Sequence, residues 1–305
     1  MKYLIIGAGG TGGCIGAYMA QAGKDVTLIA RGEHLKAIQE KGLHMETTAK
    51  GNYVVENIKA TDMEHYEEQP DVIFVCVKGY SLDETIPFIH KVAKPQTVVI
   101  PVLNIYGTGG KMQKELPDLL VTDGCIYIVG LIKEPGHLVQ SGNLFRVVFG
   151  VRNASEYRPV LAEVKKDLEE SGIECILSEN IRKDAMRKFS YISPAAACGQ
   201  YYRAASDDIQ KSGEIRETFK ALIGEIMEIS GAMGITFEED MVKTNLAIMD
   251  TLAPGVKTSM QRDVEAGKKS ELDGLVYSVV RMGDEYKVAV PTYRKIAEKL
   301  QQEIR

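Results

Sequence analysis

Three places in the chain combine residue types that can do chemistry. Near the start, Gly7-Ala8-Gly9-Gly10-Thr11-Gly12 has the spacing G-x-G-x-x-G. There the first glycine permits a tight turn, the second lets a pyrophosphate approach the backbone, and the third lets helix and strand pack closely. About 20 residues further on, where a carboxylate would bind the 2′-hydroxyl of NAD, the chain instead carries Ala30-Arg31. A guanidinium offers planar bidentate donors to a phosphate, so Arg31 suits the 2′-phosphate of NADP. The competing readings are a solvated arginine at a strand end and an NAD site served by Glu33.

The third place is the stretch NIRKDAMRKFSYISPAAACG, Asn180 to Gly199. Hydride delivery to a ketone puts negative charge on oxygen, and a positioned ammonium both stabilises that charge and supplies the proton. A lysine is the donor to look for. None of the fourteen tyrosines has a lysine four residues later, which removes the Tyr-x-x-x-Lys acid of many short-chain reductases, and G-x-S-x-G is absent. By spacing alone, however, Arg182, Lys183, Arg187 and Lys188 read as a solvated basic helix face. Within it Asp184 and Lys188 would form a weak i,i+4 pair.

The elements that must hold these residues follow from periodicity. The first thirty residues read as strand, glycine turn, helix from about Thr11 to Ala22, and a second strand at Val26 to Ala30. Further apolar runs at DVIFVCV, TVVIPVL and LLVTDGCIYIVGLI, the first two separated by the helix-like SLDETIPFIHKVA, predict a mostly parallel, doubly wound sheet. Short alternating strands follow around Ser141-Gly142-Asn143, then a helix near Glu156 to Ser171 and a last strand, IECIL.

Beyond Asn180 helical periodicity takes over. Ile215, Phe219, Leu222, Ile223, Ile226 and Met227 share one face, Gly234 stands at a C-terminal cap, and further helices are expected at Glu238–Leu252, Ser270–Met282 and Pro291–Ile304. The expectation is an α/β protein: an N-terminal Rossmann-type sheet over residues 1–178 and an all-helical domain over 179–305. The active site is expected in the cleft between them.

Composition narrows the class. The 305 residues, 45% hydrophobic and 26% charged, are ordinary for a folded chain of two domains. A net charge of −5 argues against nucleic-acid binding, which needs a concentrated basic face. Five scattered cysteines without a C-x-x-C pair indicate reduced thiols rather than a disulfide framework or zinc site. The five histidines are isolated, so a metal-dependent mechanism is not expected. No signal segment and no unbroken apolar span of about 18 residues is present, which gives a cytoplasmic expectation with no membrane partner.

Taken in order, the glycine turn, Arg31, VCVKGY with Lys78, VLNIYG with Asn104, MRKF with Lys188, TSMQRDVEAGKKSELDGL and the closing VAVPTY resemble the ketopantoate reductases over essentially the whole chain. The resemblance implies NADPH-dependent reduction of ketopantoate (2-dehydropantoate) to pantoate, a step of pantothenate and coenzyme A biosynthesis. It further implies that Gly7, Gly9, Gly10, Thr11, Gly12 and Arg31 bind the cofactor, with Lys78 near its ribose and phosphates. Lys188 would be the general acid and Asn104 would lie beside nicotinamide and substrate. Ser259 would contact the substrate carboxylate, and Glu271 would accept a hydrogen bond from the substrate hydroxyl. Without the resemblance, Asn104 reads as a cap for the next helix and Glu271 as an ordinary first-turn acid.

Two positions depart from the family pattern. Ile192 and Val256 stand where members usually have asparagine, which removes partners for a small polar acid. Another small branched 2-oxo acid is therefore the alternative substrate. A non-catalytic NADP(H)-binding sensor is the alternative from a different class. A homodimer is expected if the helical domain carries an exposed apolar face.

Overall fold

The apolar runs of the N-terminal part form strands because they are short, β-branched and bounded by turn residues. The computed structural model, which describes residues 1–303, contains in order β1 (Lys2–Ile6), α1 (Gly12–Gln21), β2 (Asp25–Ile29), α2 (Gly32–Lys41), β3 (Leu43–Thr47), β4 (Gly51–Val55), β5 (Lys59–Thr61), β6 (Val72–Val75), α3 (Leu82–Val92), β7 (Val98–Pro101), α4 (Thr108–Glu115), β8 (Leu120–Val121), β9 (Asp123–Glu134), β10 (His137–Gly150), α5 (Val160–Glu170) and β11 (Glu174–Leu177).

Six strands form a sheet in the order β5-β2-β1-β6-β7-β8, every pairing parallel. Such strands are covered on both faces and so read as unbroken apolar runs. Alternate side chains go to opposite sides: Tyr3, Ile5, Leu28 and Phe74 enter one core, whereas Leu4, Ile6, Ile29 and Ile73 enter the other. The strand order reverses between β1 and β6, and ligands of such sheets bind outside the carboxyl ends at that switch point. The doubly wound expectation is met.

A second sheet, β11-β10-β3-β4 with β9 antiparallel to β10, was only partly legible. LLVTDGCIYIVGLI divides at Thr122: β8 completes the parallel sheet and β9 crosses to the other. The short strands expected around Ser141 are one long strand whose register shifts between Ser141 and Arg146. Strands β3 and β4 went unread because LHMET and GNYVV are half-polar and only half-buried. Helix α5 starts later than Glu156 because Ala154–Glu156 forms a separate 3-10 turn, its Glu156 carboxylate accepting the Asn153 N–H at 3.1 Å.

The chain divides into two units: Met1–Leu103 with Gly107–Ile181, and Asn104–Tyr106 with the residues from Arg182 on. The second unit consists of α6 (Ile181–Tyr202, its first residue excepted), α7 (Ser206–Gln210), α8 (Glu214–Ala232), α9 (Met241–Asp250), α10 (Ser259–Glu265), a π-helical turn (Asp273–Tyr277) that runs into α11 (Ser278–Tyr286), and α12 (Pro291–Glu303).

Its core takes the stripe expected of α8: Phe219, Leu222, Ile223 and Ile226 are fully buried, with Ile215 and Met227 packed beside them. Helix α9 starts at Met241 rather than Glu238 because the Asp240 carboxylate accepts the Val242 and Lys243 N–H groups at 2.9 and 3.1 Å. Gly234, at φ +73°, follows the α8 C-cap. Ile304, placed in the last helix by periodicity, lies outside the described residues.

Candidate active site

The glycine turn leaves β1 at the switch point. Gly7 has φ +102°, and the Gly7 and Ala8 N–H groups donate to the Ile29 carbonyl at 3.2 and 3.1 Å, seating the turn over β2. A Cβ on Gly7 would come 3.1 Å from the Val77 nitrogen. One on Gly12 would strike the Gly7 carbonyl and come 2.7 Å from the Cys76 Cβ, so α1 crosses its strands at glycine distance. A Cβ on Gly9 would meet nothing within 4 Å. Gly7 and Gly12 are thus required by the fold, as is Gly10, where a Cβ would strike the Gly130 carbonyl, whereas Gly9 borders open space. Thr11 takes the N-cap position of α1 without a side-chain cap bond, and no acid stands in the first turn. A helix N-terminus of this kind favours an anion. The turn fits a dinucleotide's pyrophosphate: it has a backbone cradle, room at Gly9 and a positive helix end.

Arg31 is the exposed N-cap residue of α2, directly after buried Ala30, and it forms no ion pair among the described residues. Glu33 is exposed in the first turn of the same helix. Lys78 is half-buried beyond the carboxyl end of β6, at the N-cap of a short 3-10 turn (Gly79–Ser81). Since Gly7 abuts Cys76 and Val77, the glycine turn and Lys78 occupy neighbouring strand ends.

In the helical unit, Lys188 is 7% exposed, and its ammonium donates to Asn104 Oδ1 at 2.6 Å. The solvated-face reading of Lys188 therefore fails: a buried ammonium costs several kcal/mol and must be met by acceptors. Asn104 is not a helix cap either, that position before α4 belonging to Gly107. Its two neighbours fix it. The Tyr106 ring lies 6.0 Å from that of Phe189, and Ile105 packs so closely on Gly274 that a Cβ there would come 2.6 Å from its Cγ1.

Glu271 is 5% exposed, at the entrance to the π-helical turn, and so is not a surface first-turn acid. Ser193 Oγ, on α6 beyond Lys188, donates to the Leu275 carbonyl at 2.6 Å and shares a 2.6 Å bond with the buried Tyr293 hydroxyl. The Asn104–Tyr106 segment, α6 and the turn after Glu271 therefore pack against one another. Ser259 opens α10, half-buried, behind a Thr258–Gln261 capping box. Ile192 is half-buried one helical turn beyond Lys188, and Val256 is 42% exposed. Sequence reasoning missed Ser193 and Tyr293 as anchors, because a buried hydroxyl pair across 100 residues leaves no local pattern. Burial pushes the Cys14, Cys175 and Cys198 thiols up to about 12, which keeps them protonated near neutral pH.

Residues 3–154 match the family model described as ketopantoate reductase PanE/ApbA, and residues 180–303 match that of its C-terminal domain. An uncharacterised oxidoreductase of Bacillus subtilis is 29% identical over 99% of this chain and 98% of its own. A 2-dehydropantoate 2-reductase of Pyrococcus horikoshii is 27% identical over 90% of this chain and 87% of its own. Among solved structures, D-mandelate dehydrogenase with NADH and anilino(oxo)acetate superposes with a TM-score of 0.86 at 21% identity, over 98% of this chain and 96% of that one.

Proposed function

Since the chain belongs to the ketopantoate reductase family, we propose that it reduces ketopantoate to pantoate with NADPH. The observation that carries this reading is the buried Lys188 ammonium held at 2.6 Å by Asn104. Bound NADPH would supply the hydride. Lys188 gives its proton to the carbonyl oxygen as that oxygen becomes an alkoxide, and its charge stabilises the oxygen beforehand. Asn104 Oδ1 aims the ammonium, Ser259 receives the substrate carboxylate, and Glu271 accepts a hydrogen bond from the substrate hydroxyl.

The cofactor is held by the turn Gly7–Gly12 against its pyrophosphate and by Lys78 near ribose and phosphates. Arg31, exposed and without an ion-pair partner among the described residues, takes the 2′-phosphate. The test is NADPH consumption with ketopantoate beside a panel of 2-oxo acids, repeated with NADH. Turnover of ketopantoate at the highest kcat/KM, with NADPH preferred, is the expected result. Absence of turnover across the whole panel overturns it.

A second reading rests on Ile192. One turn from Lys188, an apolar side chain offers no partner to a substrate hydroxyl, which suits a 2-oxo acid with a hydrocarbon branch. D-Mandelate dehydrogenase, which shares the fold, is described with anilino(oxo)acetate, whose anilino end carries an aromatic ring. A panel preference for hydrocarbon 2-oxo acids selects this reading.

A further inference from the structure

We infer that His34 is a positioning residue for the cofactor, an imidazole strut that holds the glycine turn against the β9–β10 hairpin; the inference rests on the dinucleotide reading of that turn. His34 lies half-buried in α2, three residues after Arg31. Its Nδ1 receives the Gly136 N–H at 3.0 Å, and its Nε2 lies 2.8 Å from the Ala8 carbonyl oxygen. A backbone N–H can only donate and a carbonyl can only accept. The ring must therefore carry its proton on Nε2 and keep Nδ1 bare.

Both ends of the strut are fixed. Ala8 is seated by its N–H bond to Ile29, and Gly136, in a turn that needs its φ of +74°, has its carbonyl bound by the His44 N–H at 2.8 Å. The hairpin reaches the turn at a second point. Gly10 and Gly130 of β9 meet backbone to backbone, each so close that a Cβ on either would strike the other's carbonyl.

Gly9, the residue bordering open space, stands between these two points of support. His34 thus sets the Ala8 peptide, and with it the Gly9 surface on which the pyrophosphate is to rest. It also sits in the helix that presents Arg31, so one side chain ties the phosphate end of the site to the pyrophosphate end. Without the strut, the turn must be ordered at the moment of binding, and affinity falls by the cost of that ordering.

The test is a titration followed by the fluorescence of the reduced nicotinamide, on the wild type, His34→Ala and His34→Gln, with kcat measured at saturating cofactor. The expected result is an about tenfold rise in Kd for His34→Ala, toward NADPH and NADH alike. Its kcat stays near the wild-type value, and His34→Gln, which keeps one donor and one acceptor, recovers most of the affinity. An unchanged Kd in His34→Ala, or a glutamine variant no better than the alanine one, overturns the proposal. A wild type that binds neither nucleotide overturns the dinucleotide reading instead. Nitrogen-15 spectra of wild-type histidines need no variant to fold. The Nε2–H tautomer at neutral pH supports the strut, and the Nδ1–H tautomer or a charged ring overturns it.

Discussion

Lys188 and Asn104, 84 residues apart in sequence, meet in one 2.6 Å hydrogen bond inside the helical unit. The lysine belongs to α6, whereas the asparagine comes from a three-residue loop that the chain sends over after β7 and then withdraws. Ile105 and Tyr106 anchor that loop on Gly274 and Phe189, so the asparagine is positioned by packing. The amide oxygen of Asn104 is a neutral acceptor, and its bond fixes a direction for the ammonium.

Replacing Lys188 by alanine is expected to lower kcat by roughly 10²–10⁴, the usual worth of a positioned proton donor, with little change in cofactor affinity. Asn104→Ala should lower kcat less, since the ammonium stays but loses its orientation. Steady-state kinetics on both variants checks this. A Lys188→Ala enzyme of near wild-type rate removes Lys188 as the acid.

Arg31→Ala should weaken NADPH binding by about tenfold or more, the worth of a charge-assisted contact to phosphate. NADH binding should barely move, because the hydroxylated ribose gives Arg31 nothing to neutralise. Parallel titrations decide it. Equal losses for the two nucleotides would show a structural role at the α2 N-cap, and no loss for NADPH would return the cofactor question to Glu33.

Two of the turn's four glycines, Gly12 and Gly9, should separate fold from binding. Gly12→Ala forces a methyl group onto the Gly7 carbonyl and against Cys76 and Ile5, where backbone cannot yield, so a loss of about 1–3 kcal/mol in unfolding free energy is expected. Gly9→Ala meets open space and should leave thermal stability nearly unchanged while weakening the nucleotide. Melting curves with and without NADPH read both effects.

The parts of this molecule written in local patterns were legible in the sequence. The glycine turn, Arg31 after β2, and the apolar runs of β1, β6 and β7 all follow from spacing within about ten residues. The second sheet was not, because β3 and β4 owe their place to β10, nearly a hundred residues away, and carry weak alternation of their own. The site divides in the same way. Lys188 looked like part of a solvated basic face because helical spacing cannot report burial, and the Asn104 that bonds it comes from a loop outside the helix. His34 read as an isolated histidine for the same reason: one of its two partners, Gly136, is 102 residues downstream.

Acid should loosen the N-terminal unit at Asp167. Partial burial raises the pKa of this carboxyl, but the Lys24 ammonium at 2.7 Å and the Tyr3 hydroxyl at 2.5 Å outweigh that and hold it below the usual aspartate value. A folded-state pKa below the unfolded one gives stability that is fully present above the unfolded value near 4 and is lost as pH falls through the folded one. Asp167→Asn should therefore cost on the order of 1 kcal/mol at neutral pH, allowing for solvent screening. That difference should close as pH falls below the depressed folded-state value. Urea unfolding of both proteins across this range measures it, and a gap that persists in acid shows that the carboxylate's charge is not the source.

On the proposed reading, the choice between 2-oxo acids should turn on Ile192. Helical geometry puts it on the same face as Lys188, one turn along, so a substrate whose carbonyl oxygen reaches the ammonium carries its branch toward that side chain. Hydroxyl-bearing and hydrocarbon branches differ by one polar group, and an apolar wall leaves that group unpaired, at a cost of about 1–3 kcal/mol or roughly ten- to a hundredfold in kcat/KM. Ile192→Asn should then raise kcat/KM for ketopantoate relative to its analogue without the hydroxyl. Lys188 and Asn104 are untouched, so kcat on the better substrate should hold. If the ratio of the two specificity constants stays where it was, the branch is read elsewhere, and Glu271, buried and acidic, becomes the residue that selects it.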